Sequence, residues 1–88
     1  MFVPNVLERT SNGERVYDLM SRMFEDRNIF LNGEINDHVS LLIIQQFLWL
    51  ESQAPGQRIN FYINSPGGSV SSGLAIYDTI NTIKSPVT

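Results

Sequence analysis

The chain of 88 residues is 42% apolar and 17% charged with a net charge of −3, a globular profile whose shortage of charge, against an average of about 25%, points to a surface that partly meets other protein. Lys84 is the only lysine and the arginines are scattered, so no basic patch supports a nucleic-acid-binding role. The absence of cysteine excludes a disulfide framework, a thiolate nucleophile and a zinc knuckle, and fits a reducing, cytoplasmic setting.

Met1-Phe2-Val3-Pro4-Asn5 has no basic start, and Glu8 and Arg9 interrupt any apolar stretch, so no targeting segment is expected. Phe2 to Leu7 and Arg15-Val16-Tyr17 flank the turn signal Ser11-Asn12-Gly13. Asn-Gly favours a tight hairpin, and residues 1–17 therefore read as a small β-loop with little of its own to pack on. Asp18 then caps a short amphipathic helix to Arg27, with Leu19, Met20, Met23 and Phe24 at helical spacing.

Asn28 to Gly33 is a compact apolar run closed by a turn signal, the pattern of a buried strand. Asn36 is placed to cap the next helix, which runs to about Ser52 and carries Val39, Leu41, Leu42, Ile43, Ile44, Phe47, Leu48, Trp49 and Leu50. A helix apolar on this many sides is expected to bury itself against a sheet and against another subunit. Its apolar stretch, broken by Ser40, Gln45 and Gln46, falls short of the roughly 18–20 residues that span a bilayer.

Ala54-Pro55-Gly56 is a surface connection into a strand over Arg58–Ile63. Asn64-Ser65-Pro66-Gly67-Gly68-Ser69 follows as a tight turn, and a helix from Val70 to Ile83 is expected to present Leu74, Tyr77, Ile80 and Ile83 on one face. Ser85-Pro86 stops that helix, and Val87-Thr88 reads as the beginning of a third strand. This order predicts α/β architecture built from a β-α-β unit with parallel strands and a right-handed crossover, incomplete because the chain stops where the third strand begins.

The Gly67-Gly68 turn is the chemically suggestive stretch. Two glycines let the backbone take dihedrals closed to other residues and leave N–H groups open to an extended ligand. The helix behind them adds unpaired amides and the positive end of its dipole, which favour a carbonyl or a developing oxyanion. A plain strand-to-helix turn without chemistry satisfies the same spacing.

Other chemistries find little support. Gly67-Gly68-Ser69-Val70-Ser71 has serine where the last glycine of a nucleophile elbow belongs. His38, the only histidine, reads as an exposed first-turn residue, and neither a metal-ligand set nor a phosphate loop occurs. Glu25-Asp26 and Asp78 read as solvated helix surface. The residues themselves therefore support a turn that binds a peptide or acyl carbonyl.

Tyr62-Ile63-Asn64-Ser65-Pro66-Gly67-Gly68-Ser69, followed by Ala75-Ile76-Tyr77-Asp78-Thr79-Ile80, resembles the proteolytic subunit of the ATP-dependent Clp protease (the ClpP family). Gly13 to Arg22 is similar to that family's first-helix motif and Phe30-Leu31-Asn32-Gly33 to its first strand. The resemblance implies a crotonase-like fold, with residues 1–17 as an axial pore loop and residues 18–88 as the N-terminal part of the α/β domain. It implies assembly into two stacked heptameric rings, an AAA+ unfoldase partner such as ClpX, ClpA or ClpC, and unfolded polypeptide as substrate. It also implies a subunit with no cofactor of its own, ATP being used by the unfoldase.

The same resemblance implies serine endopeptidase chemistry, with Gly68 supplying an oxyanion-hole amide, Gly67 shaping the turn, and Gly68, Ser69 and Val70 holding the substrate as an added strand. Leu48, Trp49 and Tyr62 correspond to part of the cleft that receives the unfoldase's hydrophobic loop, core packing being the alternative for Leu48. Asn60 and Thr82 stand where the family carries aromatic or larger apolar residues. The family's catalytic Ser, in a G-x-A-A-S-M-G motif, and its His and Asp fall after Thr88, so these 88 residues alone are expected to be inactive and poorly folded. A truncated or non-catalytic paralogue acting in assembly and an acyl-CoA enzyme of the wider crotonase superfamily are the alternatives.

Overall fold

A computed structural model describes residues 10–88, with side chains described from residue 18 onward. The elements run α1 (Thr10–Glu25), β1 (Asn28–Asn32), α2 (Asp37–Gln53), β2 (Asn60–Asn64) and α3 (Val70–Thr82). β1 and β2 pair in parallel, from Asn28 opposite Asn60 to Asn32 opposite Asn64. The architecture is thus mixed α/β around a two-stranded parallel sheet. Val87 bridges Ile59, also in parallel. The Ile59 N–H donates to Pro86 O at 2.9 Å, the Thr88 N–H to Ile59 O at 3.1 Å and the Phe61 N–H to Thr88 O at 2.8 Å. Val87-Thr88 therefore lies where the sequence places the beginning of a third strand.

Alternation along the strands sorts their side chains. Ile29 and Leu31 of β1 enter a core completed by Ile43, Phe47 and Leu50 of α2, Ile59 before β2, and Ile76 of α3. Phe61 meets the Phe47 ring edge-on at a centroid distance of 5.0 Å, a geometry in which the positive ring edge faces the negative ring face. The other set of pairs alternates polar and aromatic rungs. Asn60 donates to the Asn28 side chain at 3.2 Å and Asn64 to the Asn32 side chain at 2.9 Å. Between them Phe30 and Tyr62 stack at 4.9 Å. Thr88 extends the first rung by donating to the Asn60 side chain at 3.2 Å.

α2 begins as expected, the Asn36 side chain accepting the Val39 N–H at 2.9 Å. Only one stripe of it is buried, Ser40, Ile43, Phe47 and Leu50. Leu41, Leu42, Leu48 and Trp49 remain exposed, so the second apolar face has no partner among the described residues.

Three expectations are corrected. α1 starts at Thr10, so Ser11-Asn12-Gly13 and Arg15-Val16-Tyr17 are helical rather than a turn and a strand. The first arm of the expected hairpin, Phe2 to Leu7, lies outside the described residues. A turn signal acts only where its flanks can pair as strands, and the helical spacing of Leu19, Met20, Met23 and Phe24 continues back through Val16. Asp18 is accordingly not a cap but an exposed residue within α1, and Leu19 is exposed while Met20, Met23 and Phe24 are half-buried.

On α3 the inward residues are Ser72 and Ile76, with Ile80 and Ile83 half-buried, whereas Leu74 is 54% and Tyr77 60% exposed. At about 100° per residue, steps of three drift backwards by about 60°, so Leu74 and Ile83 stand on opposite sides of the helix. Steps of four keep Ser72, Ile76 and Ile80 together.

One node had no sequence signature. Arg27, between α1 and β1, donates to Leu50 O at 2.7 Å, Gln57 O at 3.0 Å, Arg58 O at 3.1 Å and the Ser85 hydroxyl at 3.1 Å. Glu51 accepts the backbone N–H of Lys84 at 3.0 Å and of Ser85 at 3.1 Å, and also the Ser85 hydroxyl. The Ser85 hydroxyl, and next the Lys84 N–H, hold the Glu51 carboxyl below the usual glutamate range, against a smaller opposing effect of desolvation.

Candidate functional site

The Gly67-Gly68 turn joins the C-terminal end of β2 to α3, at the edge of a parallel sheet where ligands of open α/β folds commonly bind. Its conformation is imposed locally. Ser65 Oγ accepts the Gly67 N–H at 3.0 Å, and the two glycines take φ of +110° and +148°, angles that residues with a Cβ rarely adopt.

Ile35, just ahead of α2, locks the turn from one side. Its N–H donates to Gly67 O at 2.9 Å, and its carbonyl accepts the Ser69 N–H at 2.8 Å. A Cβ on Gly68 would collide with the Ile35 carbonyl oxygen and lie 2.7 Å from its nitrogen, whereas one on Gly67 would meet nothing within 4 Å. Gly68 is therefore required for close backbone approach as well as for its dihedral.

The polar groups of the turn divide into committed and free. Ser69 Oγ accepts the Ser72 N–H at 3.2 Å as the N-cap of α3. This hydroxyl is engaged in capping α3. Ser72 donates its hydroxyl to Asp37, and Ser40 donates to Ser72 O at 2.9 Å, so the first turns of α2 and α3 are stitched together. His38 is exposed, and among the described residues no cluster of His, Cys, Asp or Glu could hold a metal.

The Gly68 N–H, by contrast, donates to no described atom, and Gly68, Ser69 and Val70 are all exposed, Val70 to 76%. The Val70 and Ser71 N–H groups in the first turn of α3 also lack intrahelical acceptors, as the geometry of a helix start requires. The result is a set of open donors, at Gly68, Val70 and Ser71, on either side of the committed Ser69 N–H at the positive end of a helix dipole. It can hold a carbonyl oxygen or stabilise one that gains charge. Among the described residues it brings neither a nucleophile nor a base to that oxygen.

The residues matched to an unfoldase-docking cleft are separated. Leu48 and Trp49 are 51% and 55% exposed on α2, and Trp49 lines a cleft with Phe24, Arg27, Leu50 and Ala54. Tyr62 is 50% exposed, stacked on Phe30 and opposite in the strand alternation to Phe61, which faces α2. Asn60 and Thr82, the two departures from the resemblance, both have internal partners. Asn60 is the centre of the Asn28–Asn60–Thr88 rung, and Thr82 donates to Thr79 O at 2.9 Å.

Sequence reasoning missed Arg27, Glu51 and Ser85. Two of them bond chiefly to backbone groups far away in the chain, which leave no mark in residue identity.

No helix among the described residues is long and apolar enough to cross a membrane. Comparison with known protein families matches residues 11–88 to the family described as Clp protease. That span runs from the first turn of α1 through both parallel strands, the glycine turn and α3 to the third-strand residues. The chain belongs to the Clp protease family.

Proposed function

We propose that the chain is the N-terminal part of a Clp protease proteolytic subunit with a crotonase-like fold, and that the Gly67-Gly68 turn is the carbonyl-binding half of a serine endopeptidase site. The observation that carries this reading is the Gly68 N–H, which belongs to an exposed residue and donates to no described atom although the groups on either side of it are fixed by Ile35. A donor held in place before substrate arrives needs no reorganisation when the carbonyl oxygen becomes negative.

In this mechanism a serine hydroxyl supplied by the family's downstream motif adds to the scissile carbonyl and passes its proton to a histidine. The carbonyl π electrons move onto oxygen, where the Gly68 N–H meets them. Collapse of the intermediate expels the amine with the histidine's proton and leaves an acyl-enzyme, which water then cleaves. The backbone of Gly68, Ser69 and Val70 holds the substrate as an added strand.

The partner reading follows the same family logic. Leu48 and Trp49 on one copy and Tyr62 on another would together form the apolar cleft for an AAA+ unfoldase, since within one chain they stand apart. Assembly into stacked rings would also cover the second apolar face of α2.

The test is an amide-to-ester replacement at Gly68 in the full-length chain, which exchanges the N–H for oxygen and adds no Cβ. Because that N–H donates to no described atom, the replacement costs folding only a weakening of the Ile35 N–H bond to the Gly67 carbonyl, at most about 1 kcal/mol, while peptide turnover falls by about 10²–10³. Turnover within about threefold of the parent would end the oxyanion reading. A full-length chain that assembles yet has no activity before modification would favour the non-catalytic paralogue.

A further inference from the structure

No hairpin turn aligns neighbouring strands of a parallel sheet, so the crossovers must do it, and a slip of one residue turns every side chain to the wrong face. For the strand that starts at Pro86 the crossover is α3, which ends at Thr82 and is capped by Ile83. The short connection after it is held on two sides by charged groups from elsewhere.

Glu51, in the last turns of α2, accepts two successive backbone N–H groups, from Lys84 and Ser85, together with the Ser85 hydroxyl. That serine is 3% exposed, and its oxygen also accepts from the Arg27 guanidinium at 3.1 Å. The remaining donors of Arg27 reach Leu50 O at the end of α2, and Gln57 O and Arg58 O on the approach to β2. Its own backbone carbonyl accepts the Asn60 N–H at 2.9 Å, and it directly precedes β1.

The approaches to β1 and β2, the serine just before the Val87 bridge and the last turns of α2 thus converge on one residue. Arg27 takes φ of +70° to reach this position, a conformation non-glycine residues seldom occupy.

We propose that Arg27, acting through Ser85 and Glu51, is a positioning residue that aligns the third strand with β2. Because the two strands run parallel, the aligned strand leads toward the sheet edge that carries the Gly67-Gly68 turn. Whatever reacts with a carbonyl held at Gly68 must be in line with it, a consequence that rests on the carbonyl-binding reading, although the alignment itself does not. The planar fork of arginine is essential to this role. A lysine keeps the charge but cannot span three carbonyls in two segments and a hydroxyl in a third at once.

The experiment is hydrogen–deuterium exchange on the full chain in its native assembly, resolved to single amides, comparing the parent with Arg27→Lys, Arg27→Met, Ser85→Ala and Glu51→Gln. The Phe61 and Thr88 amides, which bridge β2 and the third strand, should exchange about tenfold faster or more in every variant. The Gly33 and Ile35 amides, bonded to Asn64 O and Gly67 O, should stay within about twofold of the parent.

Equal acceleration at all four amides would mean that the node only stabilises the fold at large, and would overturn the proposal. So would unchanged exchange, protection missing from Phe61 and Thr88 in the parent, or an Arg27→Lys variant that matches the parent. None of these readouts involves peptide turnover, so failure here is distinguishable from failure of the Gly68 ester test.

Discussion

Replacing Gly68 by alanine should damage the protein far more than the same change at Gly67, one residue away. Both positions have positive φ, +110° at Gly67 and +148° at Gly68, so both substitutions pay about 1–3 kcal/mol for a backbone conformation an L-residue resists. Gly67→Ala ends there, because its new methyl meets nothing within 4 Å. Gly68→Ala drives a methyl into the backbone of Ile35, which cannot rotate aside as a side chain would. Relief requires the Ile35 segment and the turn to part, which breaks the Ile35 N–H to Gly67 O and Ser69 N–H to Ile35 O bonds. At about 1 kcal/mol net for each bond, the gap between the two variants is about 2 kcal/mol. Urea unfolding of the two full-length variants, followed by far-UV circular dichroism, reads it directly. If Gly68→Ala proves no less stable than Gly67→Ala, the Ile35–Gly68 contact does not lock the turn. Because of the contact with Ile35, a bulky residue at Gly68 should impair assembly as well as turnover, which is why the ester is the cleaner probe.

Phe47→Ala should cost about 3–5 kcal/mol in the same assay, since Phe47 is fully buried and supports Phe61 edge-on. Asn36→Ala should cost about 1 kcal/mol and Asn36→Gly only a few tenths, as loss of the Val39 cap demands. Glu51 predicts a pH dependence: its folded carboxyl is held below the ordinary value, so its stabilisation is complete above that value and disappears as pH falls through the folded one. Glu51→Gln should therefore remove part of the acid limb of stability, measured as thermal midpoint against pH. His38→Gln, at an exposed position, should leave the unfolding free energy within about 0.5 kcal/mol of the parent.

Much of the architecture was legible because its signals are local. Asn36 sits one residue before a helix and supplies the side-chain oxygen that caps it, and the apolar runs around Ile29 and Phe61 have strand length between turn residues. The start of α1 was misread because Asn12-Gly13 signals a hairpin only in a chain segment free to pair, and that condition is not local. The inward face of α3 was misassigned because a three-residue step approximates a helix repeat over one turn and fails over three. Arg27 was invisible for a different reason. Its partners lie 23 to 58 residues away, and three of the four are main-chain carbonyls common to every sequence. At the candidate site the glycines marked the turn, but only the fold reveals that Ile35 is what forbids a side chain at Gly68.

The outer polar rung of the sheet also bears on how the polypeptide ages. Asn32-Gly33 is the kind of dipeptide that deamidates readily, because the unhindered glycine nitrogen attacks the asparagine side-chain carbonyl and closes a succinimide ring. Here the Gly33 N–H is held by Asn64 O at 3.0 Å, and the Asn32 side-chain oxygen is held by the Asn64 amide at 2.9 Å. One asparagine of β2 thus restrains both the attacking atom and the group attacked, and ring closure must wait for the end of the sheet to open. A cross-strand pair that serves packing in the short term thus slows, over the lifetime of the protein, chemical wear at this dipeptide.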